Sequence, residues 1–296
     1  MAINKRKVFQ VVFSLCFMIG TTLAHFTELP IKIPGLKIPS NPSVRVLDIE
    51  TFEDWAWASF YVGIFYVFKF LLVGGLLEIT NPIPKTLYRT KMMKKQIYMG
   101  LWALFFVITT TTLFFWKVEK FMPYYGYYET HSFGIKEFLL NIIVYMFCFD
   151  TWFWFTHILF HHPFLWKHVH VFHHQFVEPT AFGQDAVHPL EAIVQGPFGH
   201  FMCTLFYPMH PVAHSVFGLL TSFFAIFAHD GRWDPNFHIA HHHYNDVNFG
   251  LYWGFWDKIF GTRYNPTKHG VYKPTWERND QGLSLLKNIE NKERSK

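Results

Sequence analysis

The sequence predicts an all-α integral membrane helical bundle of about four to six spans, closed on one side by a histidine-rich cap. Three observations predict it. The 296 residues are 51% hydrophobic and 21% aromatic but only 16% charged, where a soluble domain carries about 25%. Several apolar stretches are long enough to matter to a bilayer about 30 Å thick, which takes roughly 20 residues of helix. Sixteen of the 19 histidines fall between His157 and His243, a clustering that scattered core histidines do not produce.

The elements follow in chain order. Val8 to Phe26 comes after the basic run Lys5-Arg6-Lys7. It reads as a retained span with a cytosolic N-terminus, or as a cleaved signal, since Thr22-Leu23-Ala24 is a small-x-small site; the retained span is the preferred reading. Residues 28–54 carry Pro30, Pro34, Pro39 and Pro42 and read as a lumenal loop on either account, so 1–54 is one region. Residues 55–134 hold two spans, Trp55 to Leu77, with Lys69 inside it, and the cleaner Ile97 to Trp116. Residues 135–265 begin with an apolar run, Ile135 to Phe160, that contains Asp150 and His157. Leu190 to Ala228 is too long for one span, and Tyr207-Pro208-Met209-His210-Pro211 divides it into two helices joined by a tight turn. Residues 266–296 are a polar, cytosolic tail ending Lys292-Glu293-Arg294-Ser295-Lys296.

Charge sets the orientation. The loop 78–96 carries Lys85, Arg89, Lys91, Lys94 and Lys95 against the single acid Glu78, which makes it cytosolic. Counting onward, 117–134 is lumenal, and 161–189 and everything after His229 are cytosolic. The dense histidine clusters thus fall on one face, although they played no part in the count. The net charge of +5 has no long basic run, so it reads as membrane-surface charge rather than a nucleic-acid footprint. Cys16, Cys148 and Cys203 sit in apolar stretches without a CxxC, which provides neither a disulfide framework nor a zinc knuckle.

Three clusters carry the chemistry: His157-Ile-Leu-Phe-His161-His162, His170-Val-Phe-His173-His174 and His238-Ile-Ala-His241-His242-His243. On a helix, residues at i, i+3 and i+4 share one face, so each cluster presents two or three imidazoles to a common point. Neutral imidazole suits iron and zinc. At least eight such ligands exceed the coordination of one ion, and a two-metal site is the economical reading. His188, before the hairpin, and His229, after it, lie where the chain meets the cytosolic face and extend the ligand set. His200, His210 and His214 belong to the hairpin and are left out; His168 lies off the face of the second cluster, and His25, His131 and His269 have no constellation. Asp150, Trp154, His157 and His161 form one helical stripe. An intramembrane carboxylate is costly, and one that accepts the N–H of a metal-bound imidazole is a common outer partner; a helix-packing role is the alternative for Asp150. An all-histidine set without thiolate suits O₂-activating non-haem iron. Zinc shares the ligand preference, but the placement at the mouth of an aromatic-lined membrane bundle favours iron and a water-insoluble substrate.

The order HxxxHH, HxxHH, HxxHHH over residues 135–265 resembles the fatty acid hydroxylase and sterol desaturase superfamily, and within it the C-5 sterol desaturases. The resemblance is carried by the Asp150 to His157 spacing, Pro179-Thr180-Ala181-Phe182 with His188-Pro189, Ala228-His229-Asp230-Gly231, and Asn248-Phe249-Gly250 with Trp256-Asp257-Lys258-Ile259-Phe260-Gly261-Thr262. It implies an endoplasmic-reticulum membrane oxidase that uses two iron ions and O₂ to desaturate or hydroxylate a lipid, above all a sterol, with electrons from cytochrome b5 or a similar carrier. The ligand set it implies is His157, His161, His170, His173, His174, His188, His229, His238, His241 and His242, with His162 open as a substitute for His161 and a 238/242/243 register open in the third cluster. Sterol methyl oxidases, sterol hydroxylases and alkylglycerol or fatty acyl hydroxylases share these boxes, and a non-catalytic relative or a histidine-rich metal transporter are readings of another class. A transporter needs ligands at the bilayer midplane, and these sit at one face.

Overall fold

The computed structural model describes residues 34–35, 47–81, 87–121, 134–230, 238–252 and 254–272. The stretch 8–26, most of the proline-rich loop, Lys85, Cys16, His25, His131 and the tail beyond residue 272 lie outside the described residues. All regular structure among the described residues is helical.

Helix α1, Phe52–Thr80, starts three residues before the expected span because Thr51 and Asp54 cap it reciprocally. Asp54 N–H donates to Thr51 Oγ1 (3.2 Å) and Thr51 N–H donates to Asp54 Oδ2 (2.9 Å). Helix α2, Leu87–Lys117, starts well before Ile97, since the Lys91–Gln96 stretch is rich in good helix formers. Helix α3, Ile135–Phe160, matches its expected bounds. These three are long and apolar enough to cross a membrane. Phe60, Phe65 and Phe68 on α1, Trp102 on α2, and Ile143 and Phe155 on α3 are exposed, as lipid-facing residues are. The remaining expected spans are not among them: 8–26 lies outside the described residues, and the stretch from Leu190 is more broken than expected. It runs as α6 (Pro189–Ile193), a π turn over Val194–Phe198, α7 (Gly199–Met202) and a 3-10 turn over Cys203–Leu205. Pro197 inside the π turn lacks the amide a regular helix needs. The chain then reverses into α8, Pro211–Asp230, where the proline-bounded break was expected.

Between α3 and α6 lie α4 (Pro163–Leu165), a π turn over Trp166–His170, and α5 (Val171–His174). After α8 come α9 (His238–Tyr244), α10 (Phe255–Ile259) and α11 (Pro266–His269).

The described residues fall into two compact units, one within 1–66, 105–152 and 193–224, the other within 67–104, 153–192 and 225–296. In the first, Ser59 Oγ and Thr112 Oγ1 are 2.7 Å apart, joining α1 to α2, and Trp152 Nε1 donates to Val194 O (2.7 Å). Phe114 stacks on Phe201 at 4.2 Å.

The second unit buries a loop, which is unusual because loop backbone needs polar partners. Pro179 to Gly183, with Ala186 and Val187, are buried. The loop's amides are satisfied by helix side chains: Thr180 N–H donates to Gln96 Oε1 (3.1 Å), and Ala181 N–H donates to Glu78 Oε1 (3.0 Å). Glu78 is itself fixed by Arg89, which reaches both carboxylate oxygens at 3.0 Å. Phe182 packs edge-on to Phe70 (5.2 Å) and against Gly74, where a Cβ would stand 2.5 Å from the Phe182 ring. This anchoring fixes the chain between α5 and α6, on which part of the histidine site depends.

Candidate metal centre

Nine histidines of the second unit converge in two groups. His157, His161, His170, His174 and His241 form the first, and His173, His229, His238 and His242 the second, with ring nitrogens of each group within 4.8 Å of one another. Each group could hold one metal ion.

The clusters do not each serve one point, as their helical spacing led us to expect. In the second cluster His170 and His174 join the first group and His173 the second; in the third, His241 joins the first group and His238 and His242 the second. Residues at i and i+4 lie about 40° apart around a helix, whereas i+3 and i+4 differ by about 100°. One short helix therefore aims ligands at two points. The π turn that ends at His170 precedes this fan.

The open alternatives, His162 and His243, join neither group. His162 and His168 are exposed, and His243 packs against Tyr244 and Tyr272 (4.7 and 5.3 Å). His188 is not brought into either group. Its Nδ1 accepts the Leu190 amide (3.2 Å) at the start of α6 and its ring lies beside Phe172 (5.6 Å), so it serves as a local cap.

Backbone carbonyls set the tautomers of three rings. His157 Nδ1 lies 2.8 Å from Phe249 O, His241 Nδ1 2.6 Å from Val247 O, and His229 Nδ1 2.7 Å from Ala225 O. A carbonyl only accepts, so each Nδ1 carries the proton, and in a neutral ring Nε2 keeps its lone pair. The interior keeps these rings neutral. Burial, reinforced by the neighbouring imidazoles, holds His161, His170, His173, His174, His238, His241 and His242 below the usual imidazole pKa.

The bare tips face one another. Nε2 of His229 lies 2.9 Å from Nε2 of His238 and 3.3 Å from that of His173; Nε2 of His241 lies 3.1 Å from that of His174. Both ring nitrogens of His242 are buried without a hydrogen-bond partner among the described residues. Buried, unpaired imidazole nitrogens are unfavourable; a shared cation relieves them, so the donor set fits a metal in each group.

Two carboxylates support the site, neither expected in that role. Glu191 Oε1 lies 2.9 Å from His170 Nδ1, both side chains being buried. Asp257 is fully buried and accepts from Phe249 N (2.8 Å), Gly250 N (2.9 Å), Thr262 Oγ1 (2.7 Å) and Trp154 Nε1 (3.3 Å). It thereby fixes the loop whose carbonyls orient His157 and His241. Asp150, expected to accept from a ligand ring, is buried in α3; the Nδ1 of His157 faces Phe249 O. The signal for Glu191 was its place three residues after His188, at a helix start. Asp257 was visible only as part of a resembling run.

Comparison with known proteins matches residues 142–262 to the fatty acid hydroxylase family. Lathosterol oxidase of Homo sapiens is 28% identical over 171 residues, 54% of this chain and 57% of that protein. Delta(7)-sterol 5(6)-desaturases of Leptosphaeria maculans and Candida glabrata are 25% and 23% identical over 70% and 82% of this chain, and over 60% and 67% of their own lengths. The matched part thus spans under two thirds of the first two relatives. No solved structure matches the chain.

Proposed function

We propose, from the match of residues 142–262 to the fatty acid hydroxylase family, that this chain is a membrane oxidase that uses O₂ to desaturate, or hydroxylate, a sterol. The observation that carries it is the pair of convergent imidazole groups, nine neutral donors without a thiolate. Two iron ions, when bound, supply the redox chemistry by which O₂ oxidises an unactivated C–H bond. Zinc accepts the same donors and has no redox role, so metal analysis separates the two.

The chain's own contribution is to hold and orient. His157, His161, His170, His174 and His241 hold one ion, and His173, His229, His238 and His242 the other. The carbonyls of Ala225, Val247 and Phe249 keep protons at Nδ1 and so present Nε2 inward. Glu191 Oε1, 2.9 Å from Nδ1 of His170, steadies that ring from outside the ligand group. Burial of eight of the nine rings excludes water from the oxidising centre. Relatives named for C-5 desaturation of delta(7)-sterols favour a sterol with that ring unsaturation as substrate. Electrons come from cytochrome b5 or a similar carrier, delivered on the cytosolic face of the endoplasmic reticulum.

The test uses the full chain in detergent. Wild type holds about two iron ions per chain and converts a delta(7)-sterol with donor and O₂; His173→Ala and His241→Ala abolish turnover, while His188→Ala retains its iron. Cells lacking the protein accumulate the unoxidised sterol. Unchanged sterol oxidation in His173→Ala or His241→Ala refutes the reading.

A further inference from the structure

The hairpin histidines left out of the metal centre form a second polar cluster, wholly within the first unit. His200 and His214 stack face to face, centroids 3.8 Å apart and planes 14° apart. Tyr145 Oη lies 3.0 Å from His200 Nδ1 and 3.2 Å from Thr221 Oγ1. Gly218 lies against the His200 ring, where a Cβ would stand 2.5 Å from Cε1, 2.7 Å from Nδ1 and 3.1 Å from Nε2. The His200 ring is therefore held by the stacked His214 ring, by the close approach of Gly218 and by one nitrogen.

The protons in this cluster can be assigned in one direction. Thr221 Oγ1 donates to Phe217 O (2.8 Å), which leaves it only lone pairs for Tyr145. Tyr145 O–H then donates to Thr221, and its oxygen accepts from His200 Nδ1–H. His214 Nε2–H donates to His200 O (2.7 Å). In neutral His200 the consequence is a lone pair at Nε2, and no described residue hydrogen-bonds to that nitrogen. Tyr145 and His214 are each 1% exposed and Thr221 7%, but His200 is only half-buried. Among the described residues the network leaves one acceptor atom without a hydrogen-bond partner, and it lies on the least buried member.

A polar network inside an apolar bundle is costly unless satisfied, and hydrocarbon supplies no water to complete it. The missing partner is a hydrogen-bond donor carried by a lipid. We infer that His200 Nε2 is the acceptor of a binding site for the hydroxyl group of a membrane lipid, with Tyr145, His214 and Gly218 as positioning residues. That the lipid is a sterol rests on the function proposed above; recognition of a hydroxyl rests on this cluster alone.

The full chain, purified with ferrous iron supplied and placed in lipid nanodiscs, is labelled with a photoreactive sterol bearing a free 3-hydroxyl and with its 3-deoxy counterpart. Wild type prefers the hydroxylated probe by about threefold to tenfold, the worth of one neutral hydrogen bond. His200→Phe, which keeps a flat ring for stacking, abolishes the preference; His200→Gln, whose amide oxygen accepts, recovers part of it; Tyr145→Phe weakens it. Equal labelling of wild type by both probes overturns the proposal without any variant, as does a preference that persists in His200→Phe. Iron content and sterol turnover on the same sample separate the two readings. A wild-type protein that turns over sterol but shows no preference sinks this site alone, and one that shows the preference but holds no iron sinks the oxidase reading alone.

Discussion

Asp257→Asn tests how the first imidazole group is held in place. The wild-type carboxylate accepts four donors, three at Oδ1 and one, Gly250 N–H, at Oδ2. An asparagine amide oxygen can keep the three, but its NH₂ then faces the Gly250 N–H at a distance set for a hydrogen bond. The substitution removes one bond, leaves a buried donor against a donor, and strips the remaining bonds of their charge assistance. Bonds to charged groups contribute about 1.5–3 kcal/mol against about 1 for neutral ones, and an unsatisfied buried donor costs about 1–3; the expected loss is roughly 2–4 kcal/mol. The loop 247–250 then shifts, and with it the carbonyls that orient His157 and His241. Loss of such outer partners lowers metal affinity about 10- to 100-fold. His229 takes its carbonyl from Ala225 in α8, outside that loop, so the second group should keep its ion. Denaturation in detergent and iron analysis after chelator challenge measure both effects: a lowered midpoint, with iron falling from about two per chain toward one. An Asn variant with wild-type midpoint and full iron refutes the argument that this loop holds the rings.

Other expectations follow from the same geometry. Glu191→Gln replaces the carboxyl group beside His170 but keeps its volume, so iron in the first group should become about 10- to 100-fold easier to chelate, read by competition with a coloured chelator. Gly183→Ala places a Cβ 2.5 Å from Pro179 Cβ and 3.2 Å from His229 Cδ2; the second group should lose iron preferentially, seen as substoichiometric metal with the first group's ion retained. Acid should unfold the metal-free chain. His170, His173, His174, His238, His241 and His242 bind protons less readily when folded than their usual value of 6.5, so the unfolded chain takes up more protons once pH falls through 6.5. Stability is therefore retained above that value and lost below it, by up to about 1.4 kcal/mol per histidine per pH unit. A thermal midpoint flat from pH 8 to 7 and falling steeply toward pH 5.5 is expected; one that is constant throughout contradicts the neutral-imidazole assignment.

Much of this was legible in the sequence because it depends on local spacing. Length and apolar composition marked α1, α2 and α3, and the proline-bounded break at 207–211 marked the reversal before α8. The helical period picked out eight of the nine converging histidines directly, and His229 by its place at a helix end. What was not legible depends on contacts between distant residues. The split of His173 from His174 reflects two targets that only the folded second unit supplies. His188 sits among ligand-like neighbours, but its cap on Leu190 N is decided by the path of a buried loop. Glu191 and Asp257 acquire their roles from His170 and from loop 247–250, and no period in the chain announces such pairings. The early start of α2 was obscured because lysine, a good helix former, also marks a membrane-flanking loop.

The carbonyls of Ala225, Val247 and Phe249 have a genetic consequence. They fix which nitrogen of three histidines is free, yet they belong to the main chain and persist whatever side chain the codon specifies. Alanine scanning at these positions would pass over them, and natural variation there can be broad without loss of the centre. The vulnerable codons are instead those that steer the main chain's path, such as Asp257 and the glycines with no room for a side chain. Damaging alleles are therefore expected to include substitutions that touch no histidine at all.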